Sequence, residues 1–88
     1  LAQMNIFKLT YDMASTGQLA AMHNVGTYYL RGYGVQPNAD EGVRWLSMAA
    51  EKGLKDSARL LHQLYERGAY GVQRDEKKAL FWKNKYEN

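Results

Sequence analysis

Cysteine is absent from the 88 residues, which excludes disulfide staples, thiolate zinc sites and cysteine nucleophiles together. The compartment stays open, cytoplasmic or exported, because an exported protein need not carry disulfides. Proline occurs once, and with 45% hydrophobic and 24% charged residues neither a disordered nor a fibrous chain fits. Histidine occurs only as His23 and His62, without a His-x-x-x-His pair or a carboxylate at metal spacing, so no metal site is expected, and no cofactor. No apolar run exceeds a few residues, so nothing is expected to span a bilayer, and no signal peptide is visible. Leu1 is not an initiator methionine, which leads us to expect a start inside a longer or processed chain. The net charge of +3 is small and dispersed, which disfavours nucleic acid and mildly favours acidic partners. The glycine-rich stretches follow no strand and lead into no Gly-Lys-Ser/Thr, so they are not phosphate loops. Ser15, Ser47 and Ser57 lie in no nucleophile-elbow sequence, and enzyme activity is not expected.

Helical periodicity fills the space left by these absences. Ile6, Phe7, Thr10, Tyr11 and Ala14 form one stripe over a helix from Met4 to Ala14, and Gly17 stops it. A second helix is predicted from Leu19 to Arg31, with Met22, Val25, Gly26 and Tyr29 on its buried face. The run Gly32-Tyr33-Gly34-Val35-Gln36-Pro37 cannot easily continue it and reads as a loop. Asn38 then caps a third helix reaching about Lys52, with Glu41 placed to complete a capping box. Trp45, Ala49 and Lys52 share helical spacing, the small Ala49 and Ala50 permit close approach of another helix, and Gly53 supplies the turn. A fourth helix follows from about Asp56 to Arg67, burying Ala58, Leu61, Leu64 and Tyr65. Gly68-Ala69-Tyr70-Gly71-Val72 forms a second loop, and Asp75 caps a fifth helix from Glu76 to Tyr86 built around Ala79 and Trp82.

The two halves are copies of one unit. Gly17 and Gly53, Met22 and Ala58, Val25 and Leu61, Tyr29 and Tyr65, and Gly32 and Gly68 are each 36 apart. One residue inserted in the second loop raises the offset to 37, pairing Val35 with Val72, Asn38 with Asp75, Gly42 with Ala79 and Trp45 with Trp82. A fixed period carried by helix faces, turns and caps at once predicts an all-α fold, an α/α solenoid of antiparallel helix pairs with right-handed stacking and about five helices. We divide it as an N-terminal helix or half-repeat (1–17), a first repeat (18–53) and a second (54–88).

The residues from Leu61 to Tyr65, with Gly68, Gly71-Val72, Asp75, Ala79 and Trp82, resemble the Sel1-like repeat, a bacterial relative of the tetratricopeptide repeat. In the first unit Val25-Gly26, Tyr29, Gly32, Gly34-Val35, Trp45, Ala49-Ala50 and Gly53 carry the same likeness. His62 departs from the pattern, standing where the family has a glycine, so it is expected to widen the helix spacing or to point outward. The resemblance assigns Tyr29, Tyr65, Trp45 and Trp82 to packing and the glycines to turns. It implies a non-enzymatic adaptor or scaffold that binds a peptide or protein on a concave surface lined by the first helix of each pair. That points to His23, Thr27, Leu30 and Arg31 in the first unit and to Arg59, Gln63, Glu66 and Arg67 in the second. The arginines suit carboxylates. The alternative is recognition of a bacterial cell-wall or exopolysaccharide fragment by the loop-tip aromatics Tyr33 and Tyr70. The basic residues of the last helix, Arg74 to Lys85, read as a solvated face, with Phe81 as the one exposed aromatic. Both ends carry apolar residues without a partner helix, namely Ile6, Phe7 and Tyr11 at one and Phe81, Trp82 and Tyr86 at the other. Self-association through them, or membership of a longer array, is therefore expected.

Overall fold

Five α-helices and no strand make up the computed structural model, which describes residues 1–88: α1 (Ala2–Ser15), α2 (Leu19–Arg31), α3 (Ala39–Glu51), α4 (Lys55–Arg67) and α5 (Glu76–Glu87). The helices form an all-α solenoid in which α2 pairs with α3 and α4 with α5, while α1 covers the open side of α2. The slab they form measures 38 × 24 × 14 Å, too thin for one central core. Two clusters fill it instead. Ala14, Ala21, Met22, Val25, Trp45 and Ala49 join α1, α2 and α3. Leu30, Leu46, Ala50, Ala58, Leu61, Leu64, Val72 and Trp82 join the first pair to the second. Leu46, Leu61, Val25 and Ala49 are wholly excluded from solvent, which is where burial of apolar area stabilises most.

Equivalent local devices close both units. Gly32 and Gly68 end α2 and α4 in the left-handed region, at φ 71° and 68°. The amide of Asn38 then bonds the Tyr29 carbonyl at 2.8 Å, and that of Asp75 bonds the Tyr65 carbonyl at 2.9 Å. Each cap side chain accepts from the backbone three residues on, Asn38 from Glu41 at 3.1 Å and Asp75 from Lys78 at 3.0 Å. The expected capping box is only half formed. The Asn38 amide is already committed to Tyr29, so the Glu41 carboxylate turns forward and takes both arms of the Arg44 guanidinium at 2.9 Å. Arg44 thereby holds the Glu41 carboxyl below its ordinary range.

Trp45 and Trp82 are core residues, with Tyr11 meeting the Trp45 ring edge-on at 5.4 Å. Tyr29 and Tyr65 are half-buried against the two clusters. Gly26 and Gly42 bring α2 and α3 into backbone contact, since a Cβ on Gly26 would lie 3.0 Å from the Gly42 carbonyl oxygen and 2.7 Å from Leu46 Cγ. His62, equivalent to Gly26, takes a third course between the two expected. Its ring is 14% exposed and lies in the seam between α4 and α5, Nδ1 at 2.9 Å from the Tyr86 hydroxyl and Nε2 at 3.2 Å from Glu66.

At the ends Ile6 and Phe81 are exposed as expected, whereas Phe7, Tyr11, Trp82 and Tyr86 are not. On α1, Phe7 and Tyr11 face inward, Phe7 packing edge-on against Tyr29 at 5.3 Å. The bare apolar residues are Met4, Ile6, Leu9 and Met13. On α5, Trp82 is buried and Tyr86 half-buried, leaving Leu80 and Phe81 exposed. The α5 positions that match buried Leu46 and Ala50 of α3 are Lys83 and Glu87, so that face is polar and α1 alone presents a long apolar stripe.

Candidate binding groove

A groove of about 340 Å³ runs between α2 and α4. One wall comes from α2 through His23, Asn24, Thr27 and Arg31, with Leu30 at the base. The other comes from α4 through Leu60 and Leu64, and Tyr70 of the second loop closes the end. All four first-unit candidates therefore lie together. Leu30 is a core residue, 7% exposed, so it contributes a floor and not the free side chain that was expected.

The second-unit candidates are placed elsewhere. Arg59 bonds Asp56 at 3.0 Å and lies 5.0 Å over the Tyr86 ring; Glu66 holds His62; Gln63 and Arg67 are exposed away from the groove. The reason is geometric. Moving a position by one repeat selects the same flank of the next helix, whereas a groove between two helices needs facing flanks. The α4 residues that face α2 are therefore Leu60 and Leu64, each one position beyond Arg59 and Gln63. Leu64 already stood on the predicted buried face, and Leu60, paired with Leu61 and one position off that face, was the available signal.

His23 fastens the two walls together, its Nδ1 lying 2.8 Å from the Ser57 hydroxyl of α4. A contact across 34 residues leaves no trace in local spacing. Ser57 is fully buried, so no substrate reaches its oxygen and the pair works as a fastener between helices. Burial pushes the His23 imidazole below its ordinary pKa, with Asp56 pulling the other way. The neutral ring is the form that fits.

Tyr70 owes its position to the inserted residue. In the first loop Tyr33 is half-buried and leans on Tyr28, with ring centroids 4.9 Å apart. In the second loop the extra residue puts Tyr70 in the left-handed region at φ 55°, 60% exposed and lining the groove. A non-glycine residue there carries backbone strain. Arg31 is the only cation on the groove wall apart from the neutral-leaning His23, makes no ion pair, and no carboxylate lines the site.

A larger hollow of about 550 Å³ lies between the start of α3 and the loop before α5. Its charges are mostly engaged already. Arg74 bonds Glu76 at 2.7 Å, Asp75 caps α5, and the Lys78 ammonium sits 5.4 Å over Tyr65. No helix is long and apolar enough to cross a membrane.

A family model described as Sel1 repeat matches residues 19–54 and 58–82. The crystal structure of a Sel1 repeat protein from Oxalobacter formigenes is similar, with a TM-score of 0.81 and 32% identity over 92% of this chain. The match covers 61% of that chain, so the present one spans about three-fifths of its length. No curated protein matches.

Proposed function

We propose that this chain, which belongs to the Sel1 repeat family and thus to a group of protein–protein interaction modules in general, is a non-enzymatic adaptor that holds a protein segment between α2 and α4. The observation that carries this is the groove itself, in which apolar Leu30, Leu60 and Leu64 face a polar wall of His23, Asn24, Thr27 and Arg31. Binding clefts commonly combine an apolar lining with a few polar groups that fix orientation. At about 340 Å³ it sits near the lower end of the ~300–1,000 Å³ usual for ligand clefts, which suits a side chain or two of an extended segment. Of the three leucines Leu60 is the one left partly open, Leu30 and Leu64 being 7% and 3% exposed, so Leu60 supplies most of the apolar contact a bound segment would meet. The saccharide alternative gains less support, because Tyr33 leans on Tyr28 and only Tyr70 lines the groove, so the two do not make one stacking platform.

Affinity capture from a lysate by the wild-type chain, by Thr27→Glu in the groove wall and by Lys77→Glu on α5 tests the reading. Proteins retained by the wild type should be lost with Thr27→Glu and kept with Lys77→Glu. Equal retention by all three would place the binding surface elsewhere.

A further inference from the structure

The groove has one feature that its repeat symmetry does not supply. A strict copy of the first loop would lay Tyr70 on the neighbouring tyrosine position, as Tyr33 lies on Tyr28. The position equivalent to Tyr28 is Leu64, and Leu64 is itself buried in the groove floor. With no aromatic packed against it and one additional residue before it, Tyr70 lines the same groove as Leu60 and Leu64. It is held there at φ 55°, a conformation unfavourable for tyrosine and one that glycine would adopt without cost. The backbone strain has no return in packing, since the ring remains 60% exposed. On the α2 wall Arg31 is exposed and unpaired, as is its repeat equivalent Arg67 outside the groove, whereas Arg44, Arg59 and Arg74 each hold a carboxylate. The groove thus combines leucine surface, an exposed aromatic ring and one unopposed guanidinium in a single lining.

We propose that Tyr70, Leu60 and Leu64 form an anchor slot for one large apolar side chain of the bound segment, and that Arg31 takes an aspartate or glutamate next to that anchor. This rests on the groove reading above and names the chemistry it selects. A rigid aromatic beside leucine surface gives desolvated contact area at small entropic cost, the usual makeup of an interface hot spot. An exposed guanidinium gains a charge-assisted, bidentate bond only when the partner carries a carboxylate, so it sets selectivity. The absence of any carboxylate on the groove wall makes the site complementary to an acidic segment and unreceptive to a basic one.

The test uses a phage-displayed random 12-residue peptide library panned on the 88-residue chain. Recovered peptides are then synthesised and measured by calorimetry against the wild type, Tyr70→Gly, Arg31→Gln and Thr27→Glu. Tyr70→Gly removes the ring and relieves the backbone, so loss of binding cannot be ascribed to unfolding. The expected peptides share a large apolar residue beside an acidic one, bind about tenfold or more weaker to Tyr70→Gly, and lose the effect of Arg31→Gln once their own carboxylate is changed to an amide. Peptides blocked by Thr27→Glu but indifferent to Tyr70→Gly and Arg31→Gln would overturn this proposal and leave the groove reading intact. Failure to recover any peptide that Thr27→Glu blocks would overturn both. A chito-oligosaccharide that binds in a Tyr70-dependent manner, with no peptide doing so, would also overturn it.

Discussion

The two helix pairs solve one problem in opposite ways. Where α2 crosses α3, Gly26 and Gly42 remove both side chains, and the backbones touch; a Cβ on Gly42 would lie 2.7 Å from Leu30 and 3.0 Å from the Gly26 carbonyl oxygen. Where α4 crosses α5, the same positions carry His62 and Ala79, and a ring fills the seam through hydrogen bonds to Tyr86 and Glu66. The first crossing lies in the middle of the array, with α1 on one side and the second pair on the other, so any displacement there is felt by both core clusters. The second lies at the edge, where a polar ring is tolerated in the seam because both its nitrogens find partners there, Tyr86 and Glu66. One repeat pattern thus accepts contact by subtraction inside and contact by a polar seam outside.

The largest effect should come from Trp45, which touches α1 through Tyr11 and sits in the cluster that joins three helices. Trp45→Ala should cost about 3–5 kcal/mol, read as loss of the cooperative urea transition at a temperature where the wild type is folded. Retention of wild-type stability would show that the middle of the array is not its keystone.

Next come the crossings themselves. Gly26→Ala should destabilise by about 1–3 kcal/mol, because its Cβ meets backbone at the Gly42 carbonyl and not only the movable Leu46 side chain. His62→Gly, which restores the expected glycine, should not stabilise; it forfeits the Tyr86 and Glu66 bonds and adds helix-interior glycine, for a loss of about 1–2 kcal/mol. Equal and opposite signs for these two variants in urea titrations would mean that the second crossing is merely a worse copy of the first.

The caps should show where the two units are alike. Asn38→Ala and Asp75→Ala each remove one side-chain bond to the third backbone amide and should each cost about 1 kcal/mol. A much larger loss at Asn38 would show that central position amplifies even a local defect.

The smallest effect is a pH slope that belongs to the link between the pairs. Burial lowers the folded-state pKa of His23 from its ordinary 6.5, so between the two values the unfolded chain binds the proton that the folded chain refuses. Its contribution to stability is complete above about pH 6.5 and is lost as pH falls below it. His23→Gln should flatten that part of the stability profile measured by denaturation at pH 8 and 5.5; an unchanged slope would assign it to other groups.

Much of this molecule was legible because its signals are local. Helix faces, the turn glycines, the Asn38 and Asp75 caps and the 36-residue period each declare themselves within a few residues or by direct comparison of the halves. What was not legible depends on which flank of one helix meets which flank of another. Arg59 and Gln63 followed from translating His23 and Thr27 by one period, while the groove required Leu60 and Leu64. Leu30 looked like a surface position by register and lies in the core because α3 leaves room for it at Gly42. The His23–Ser57 link joins two helices with no pattern in the chain between them. Glu41 turned to Arg44 because a carbonyl had already taken the amide it was expected to serve. The inserted residue of the second loop was visible, but its consequence, Tyr70 lining the groove, is a property of backbone direction.

The most direct test of the central claim, that the α2–α4 groove is the binding surface, is an amide chemical-shift map of the ¹⁵N-labelled chain titrated with a peptide recovered by display. The account predicts shifts gathered on Asn24, Thr27, Arg31, Leu60 and Tyr70, with α1 and the outer face of α5 silent. Shifts gathered instead around Asp40, Arg74 and Lys78, or along Ile6, Leu9 and Met13, would contradict it.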